Sequence, residues 1–208
     1  MIVQVWKNQQ LTIKTIEHLS MVFVALLFII AIGVTIGVFL YNKKNLSGIV
    51  LNLLNVIETI PELVLLVILM PFFGIGYKPT MIASILYSIL PVARNTYVGL
   101  IQVDKQYLES ARAMGLQERE ILWNIRIPLA LPMIAAGIRI AIVFTMGVIT
   151  LGGLIAAGGL GGPIQTGIHL YDKDIILVTG LWIGILAVLV DSIGSLIEKI
   201  LNRKYGYD

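Results

Sequence analysis

The stretch ESARAMGLQEREILWNIRIP, residues 109–128, is where a chain of long apolar runs turns abruptly polar. The window 104–126 holds Asp104, Lys105, Glu109, Arg112, Glu118, Arg119, Glu120 and Arg126, eight of the 27 charged residues in the whole chain (15 basic, 12 acidic). Charge at that density is unstable in hydrocarbon, where one charged side chain near the centre costs roughly 2.5–3.5 kcal/mol on an insertion scale. The segment is therefore aqueous, with apolar runs on both sides, and it either meets a partner or merely connects two spans.

The surrounding composition fixes the broad class. Hydrophobic residues make up 58% of the 208 positions and charged residues 13%, with a mean hydropathy of +0.92. A soluble domain averages about a quarter charged, so this is an integral membrane protein with room for a handful of spans and no sizeable soluble domain. With no cysteine, the chain has no disulfide, thiolate metal site or thiol nucleophile. A net charge of +3 says little about nucleic acid in such a chain, because basic residues in membrane proteins mark the cytoplasmic side.

Residues 1–18, MIVQVWKNQQLTIKTIEH, are too polar for a signal-peptide core and read as an interfacial segment, with Trp6 in the headgroup zone. Five spans are expected at about 19–41, 49–73, 79–101, 129–150 and 175–197, followed by a polar tail at 198–208. In the first, Gly33 and Gly37 form a small-xxx-small pair that either admits a second helix closely or has no special partner. The second is interrupted by Glu58, Pro61 and Glu62. Proline removes a backbone donor and kinks a helix, and carboxylates do not face lipid cheaply. That span should face a watery path, unless the two carboxylates are structurally paired or lie near the interface.

A Gly/Pro turn, FFGIGYKP, separates it from the third span, which carries Pro91 and then Arg94 and Asn95. Arg94 either snorkels to the interface or pairs with Glu58 or Glu62. Arg139 lies inside the fourth span and Asp191 inside the fifth. Between those two, residues 147–167 are glycine-rich, including Gly158–Gly159 and Gly161–Gly162, and suit a loop or a re-entrant cap. The candidate translocation path is Glu58, Pro61, Glu62, Arg94, Asn95 and Arg139.

The basic residues choose a direction. Nine of them (Lys43, Lys44, Lys105, Arg112, Arg119, Arg126, Lys199, Arg203, Lys204) fall at one set of span ends, against Lys7, Lys14, Lys78 and Lys173 at the other. The charged segment and the C-terminus are then cytoplasmic and the N-terminus external. No catalytic or metal constellation is present: GxxxxGK[ST], HExxH and GxSxG are all missing, and His18 and His169 read as interfacial residues rather than ligands. Trp182 reads as part of an interfacial belt.

Within the cytoplasmic segment (104–128), Tyr107, Leu108, Ala111 and Met114 follow helical spacing until Gly115, a natural terminator. Residues 116–124 can form a second short helix with Ile121, Leu122 and Ile125 on its apolar side, and Pro128 and Pro132 mark the return to the membrane. Helix, glycine turn and helix make a compact knob, and Ser110, Ala111 and Ala113 are small enough to fit a groove on another protein.

This stretch resembles the cytoplasmic signature of the membrane subunits of ATP-binding cassette (ABC) importers: Glu-Ala-Ala, three residues, Gly, nine residues, Ile-x-Leu-Pro. Here Glu109–Ser110–Ala111 is followed by Gly115 and then by Ile125–Arg126–Ile127–Pro128, with Ser110 and Ile127 as mild departures. The resemblance implies an all-α membrane protein with the five helices of the type I ABC importer membrane domain over 19–197. It also implies that the knob docks on a separate ATPase subunit through Glu109, Ala111, Gly115 and Leu116, with Pro128 setting the start of the fourth span.

Residues 58–100, AAGIRIAIV at 135–143 and AAGGLGGPIQTGI at 156–168 are further similar to permeases for quaternary-ammonium osmoprotectants, with glycine betaine, carnitine and choline as implied substrates. The family pattern more often has neutral residues at the positions of Glu58 and Glu62. Also implied are a bacterial cytoplasmic-membrane location, a second permease copy or a paralogous permease, an external binding protein, and ATP with Mg held by the ATPase subunits. This chain itself would bind no cofactor, partner no nucleic acid and catalyse no reaction. The rival readings are a permease for another zwitterion, such as an amino acid or an ergothioneine-like betaine, and an ion-coupled secondary transporter using Glu58, Glu62, Arg94 and Asp191 as a relay.

Overall fold

The computed structural model describes residues 1–205, and no strand occurs among them. The helices are α1 (Ile2–Asn8), α2 (Leu11–Asn42), α3 (Lys44–Thr59), α4 (Glu62–Phe73), α5 (Tyr77–Ile101), α6 (Lys105–Ala113), α7 (Glu118–Ile121), α8 (Ile127–Gly152), α9 (Gly161–Leu170) and α10 (Lys173–Tyr205). Leu122–Arg126 is a π-helical turn and Gly153–Ile155 a 3-10 turn.

The first long helix starts earlier than polarity alone indicates. Its buried stripe, Leu11, His18, Val22, Ala25, Ile29, Gly33, Gly37 and Leu40, keeps the 3.6-residue period straight through the polar stretch. What precedes the long helix is thus only α1, which the left-handed Gln10 (φ 51°) turns back onto the bundle. There Trp6 and Trp182 meet edge to face at 4.9 Å, and their indole N–H groups donate to Thr12 and Thr15. At the other end, α10 continues through residue 205, so the polar residues after 197 extend the helix; 206–208 lie outside the described residues.

The expected second span is two helices meeting at 95°. Ile60 and Pro61 are both extended (ψ 125° and 135°), because proline excludes the helical conformation before it and cannot donate behind it. With 12 residues, α4 reaches only about 18 Å and does not cross a bilayer alone. By length and apolarity three helices can span, those within 11–42, 118–155 and 173–205, or four if the bent pair counts as one.

The remaining long helix, α5, is the centre of the bundle. Residues from Pro79 to Leu100 on its successive turns are buried, including Thr80, Ser84, Ser88 and Thr96. A helix surrounded by helices rather than lipid can keep hydroxyls, and most of these are bonded: Thr80 donates to the Gly76 carbonyl, Ser84 to the Thr80 carbonyl, and Thr145 of α8 to Ser88 Oγ at 3.1 Å, while Thr96 Oγ1 has no partner among the described residues.

Two neighbours grip α5 at backbone distance. A Cβ placed on Gly33 would stand 2.7 Å from Val92 Cβ, and one on Gly37 would strike Thr96. On a neighbouring face, a Cβ on Gly137 of α8 would stand 2.7 Å from Asn95 Cβ. The Gly33/Gly37 pair is therefore a helix–helix notch. Gly37→Val should destabilise the bundle by about 1–3 kcal/mol, the usual cost of overpacking. Gly48→Ala, at an exposed site with nothing within 4 Å, should move the detergent-solubilised melting temperature little. Equal melting shifts for the two would refute the notch.

Candidate functional site

The segment after α5 folds as a knob, and each turn of it has an identifiable cause. Asp104 caps α6 by accepting from the Gln106 N–H at 2.9 Å. The helix ends where Gly115 takes φ +84°, donating its N–H to the Arg112 carbonyl at 2.9 Å, while the Leu116 N–H reaches the Ala111 carbonyl at 3.1 Å. That pair of bonds is the Schellman termination, and Leu116 completes it by folding onto the apolar cluster of Val103, Leu108, Ala111 and Ile121. A reciprocal capping box between Gln117 and Glu120 opens α7.

Arg112 Nε clasps Glu118 Oε1 at 2.7 Å across the turn and holds that carboxylate below its ordinary range. A lowered folded-state value means the clasp is fully formed at neutral pH and is lost only as acid passes below that value; exposed on both sides, it contributes little.

The expected second short helix is not separate. One turn of α7 passes through the π turn at Leu122–Arg126 directly into α8, with the Ile127 N–H bonding to the Leu122 carbonyl. Pro128 follows at the second position of α8. A proline ring collides with the carbonyl four residues back, here that of Asn124, and a locally widened helix makes room for it.

Of the residues singled out for docking, Glu109 and Gly115 are exposed, Leu116 and Pro128 are half-buried, and Ala111 is fully buried beneath Leu116. Ala111 thus shapes the knob from inside. The tip is instead formed by Met114, 74% exposed, beside Gly115. Sequence spacing had placed Met114 on an apolar helix face; only the glycine turn turns it outward.

Arg126 is the residue that joins knob to bundle. It is 8% exposed, donates from Nη1 to the Leu100 carbonyl at 2.7 Å, and lies 4.8 Å over the Tyr41 ring. It therefore binds the last turns of α2 and α5 to the start of α8, where a cation also complements helix C-terminal carbonyls. Counting it only among cytoplasmic charges concealed this role.

The six path candidates divide into separate places. Glu58 and Glu62 flank the bend between α3 and α4, with Pro61 exposed between them. Glu62 leans towards Gly147 of α8, whose Cβ position is 3.6 Å from Glu62 Oε2. Arg94 is exposed, within electrostatic reach of Glu58 but closing no ion pair with it. Asn95 bonds back to the Pro91 carbonyl at 2.8 Å and packs at the Gly137 notch. Arg139 points to another face altogether, where its guanidinium makes a bidentate bond to Asp191 (2.6 and 2.9 Å) and a third to Glu198 at 3.2 Å. That network pins α8 to α10.

The glycine-rich segment folds back as a hairpin: α8 ends, Ala156, Gly158 and Gly159 take positive φ, and α9 returns along the 3-10 turn. His18 lies beneath Gly159 with 0% exposure, so it is a core residue and not an interfacial one; His169 is exposed. No group of histidine and carboxylate side chains able to hold a metal ion occurs among the described residues.

Residues 10–207 match the family of binding-protein-dependent transport system inner membrane components. The chain belongs to this family. It is 35% identical to the choline transport system permease protein OpuBB of Bacillus subtilis (strain 168), over 93% of this chain and 89% of that one. It is 36% identical to the carnitine transport permease protein OpuCB of Listeria monocytogenes, over 95% and 90%. Among solved structures, an inward-facing conformation of the MetNI methionine ABC transporter superposes with a TM-score of 0.82 at 26% identity, covering 92% of this chain and 95% of that one. The permease is thus an inner-membrane transport subunit with the type I importer fold. The secondary-transporter reading falls with that membership, and Asp191, one of its supposed relay groups, is held by Arg139.

Arg126→Ala should cost the permease about 2–3 kcal/mol, since it strips the Leu100 carbonyl of its partner and the Tyr41 face of its cation. Arg126→Lys should recover little of this, because an ammonium cannot donate and stack as the planar guanidinium does. Thermal unfolding of the purified variants reads the difference; a lysine variant as stable as the parent would show the stack to be incidental.

Proposed function

We propose that this permease carries a quaternary-ammonium osmoprotectant of the glycine betaine, carnitine or choline class, delivered by an external binding protein and driven by separate ATPase subunits. The observation that supports it most directly is the rigid knob, whose exposed Met114–Gly115 tip is braced from within by Ala111 and Leu116. A floppy connector could not transmit force; a capped, clasped knob tied through Arg126 to α2 and α5 can. The named substrates of the relatives give the chemical class.

In this reading, two permeases, identical or paralogous, form the pore, and the knobs enter grooves on two ATPase subunits that hold ATP and Mg. The knob and C-terminus are cytoplasmic and the N-terminus external. ATP binding draws the knobs together and favours the outward-open pore; hydrolysis resets it. Coupling arises because nucleotide and loaded binding protein each bind one pore state better than the other. The methionine transporter's similarity makes an amino acid the competitor substrate to include in tests.

The complex reconstituted in proteoliposomes with its ATPase and binding protein should import radiolabelled choline, carnitine or glycine betaine only with internal ATP, and should do so with the proton gradient collapsed. Uptake of none of the three, or uptake abolished by the ionophore alone, would reject the proposal. In the same preparation, Met114→Glu should lower the stimulation of ATP hydrolysis by loaded binding protein about fivefold or more, equivalent to ~1 kcal/mol of docking. Normal stimulation would mean that the tip does not touch the ATPase.

A further inference from the structure

The bend between α3 and α4 places more than two carboxylates on the proposed path. Glu58 and Glu62 stand at its two sides, and the Tyr87 hydroxyl of α5 lies within electrostatic reach of both. The Tyr87 ring meets Phe144 of α8 edge to face, with centroids 5.8 Å apart and planes at 62°. Gly147, one helical turn beyond Phe144, leaves the space into which Glu62 leans. Glu58, Glu62, Tyr87, Phe144 and Gly147 are all half-buried, so they lie at the surface of the chain rather than in its core.

Its chemistry is particular. Glu58 Oε1 is closed off from the surface yet has no hydrogen-bond partner among the described residues, although a carboxylate oxygen in such a setting ordinarily has a donor. Among the described residues the one basic side chain within reach is Arg94, which is exposed and does not pair with it. Two carboxylates against one guanidinium leave the place net negative. Two aromatic rings from different helices add π faces, which attract a diffuse cation. A quaternary ammonium has no N–H to direct a hydrogen bond, so it is held by nearby negative charge and π faces.

Resting on the transport reading above, we infer that Glu58 and Glu62 with the Tyr87–Phe144 ring pair select for the net charge of the substrate on its way through the pore, favouring a monocationic quaternary ammonium such as choline over a zwitterion such as glycine betaine. A zwitterion brings its own carboxylate to a net negative place, which offsets the attraction of its ammonium, so it is drawn there less strongly than choline. The relatives' names span both kinds of substrate; the two acidic side chains decide between them here.

The test uses the complete reconstituted complex and measures initial import of labelled choline and glycine betaine at saturating binding protein, so that differences arise in the pore. The parent should import choline faster than glycine betaine. Glu58→Gln with Glu62→Gln should lower the choline-to-betaine ratio about tenfold, and Phe144→Leu should lower it by a smaller factor. Glu62→Asp, which keeps the charge, should largely retain the ratio. A double variant that is assembled, hydrolyses ATP and shows an unchanged ratio, or loses both substrates equally, would overturn the inference while leaving the transport reading intact. A parent complex that imports neither substrate would instead overturn the transport reading, and this inference with it.

Discussion

The bundle depends on how closely α5 can be approached. Hydrocarbon supplies no hydrophobic drive between helices already in lipid, so cohesion must come from packing and from interhelical hydrogen bonds. Glycines of α2 and α8 let two backbones come against neighbouring faces of α5, and the Ser88–Thr145 bond adds a polar link in a buried place. Everything else is hung on that three-helix core: the bent α3–α4 pair on one flank, α10 on the other through Arg139, and the α9 hairpin above. Because α5 is covered by protein, it tolerates the polar residues that a lipid-facing span could not.

The same helix is where the knob and the bend between α3 and α4 meet. Its last turn offers the Leu100 carbonyl to Arg126, which sits at the π turn joining knob to α8. Its middle offers Tyr87 and Arg94 to the bend between α3 and α4. One element thus touches both the knob and the two carboxylates at the bend. The proline at 128 contributes by forcing the widened turn that carries Arg126, not by breaking the helix.

Much of this is legible in the sequence. The charged interruption at 109–128, its glycine and its spacing identified the knob, because helix termination and solvation of charge are local matters. Pro61 announced a break, and Gly33/Gly37 offered a notch. Other features were not legible. The early start of α2 was masked by polarity, since the buried stripe continues beneath polar neighbours. The size of the bend at 60–61 was not given by one proline, because the angle depends on what α4 packs against. Ala111 read as a docking residue and is buried within the knob, and His18 read as interfacial and is in the core.

The sequence by itself determined that this is a membrane protein, that one polar segment breaks its apolar runs, and that this segment forms a shaped knob. These follow from composition, periodicity and local turn chemistry, each set by residues near one another along the chain. Which charges meet was decided by tertiary structure alone. Arg139 finds Asp191 and Glu198 more than fifty positions away, Arg126 finds a carbonyl 26 positions back, and Glu62 reaches across to Gly147. Long-range pairing depends on the crossing geometry of helices, and the spacing of residues within any one helix carries no record of it.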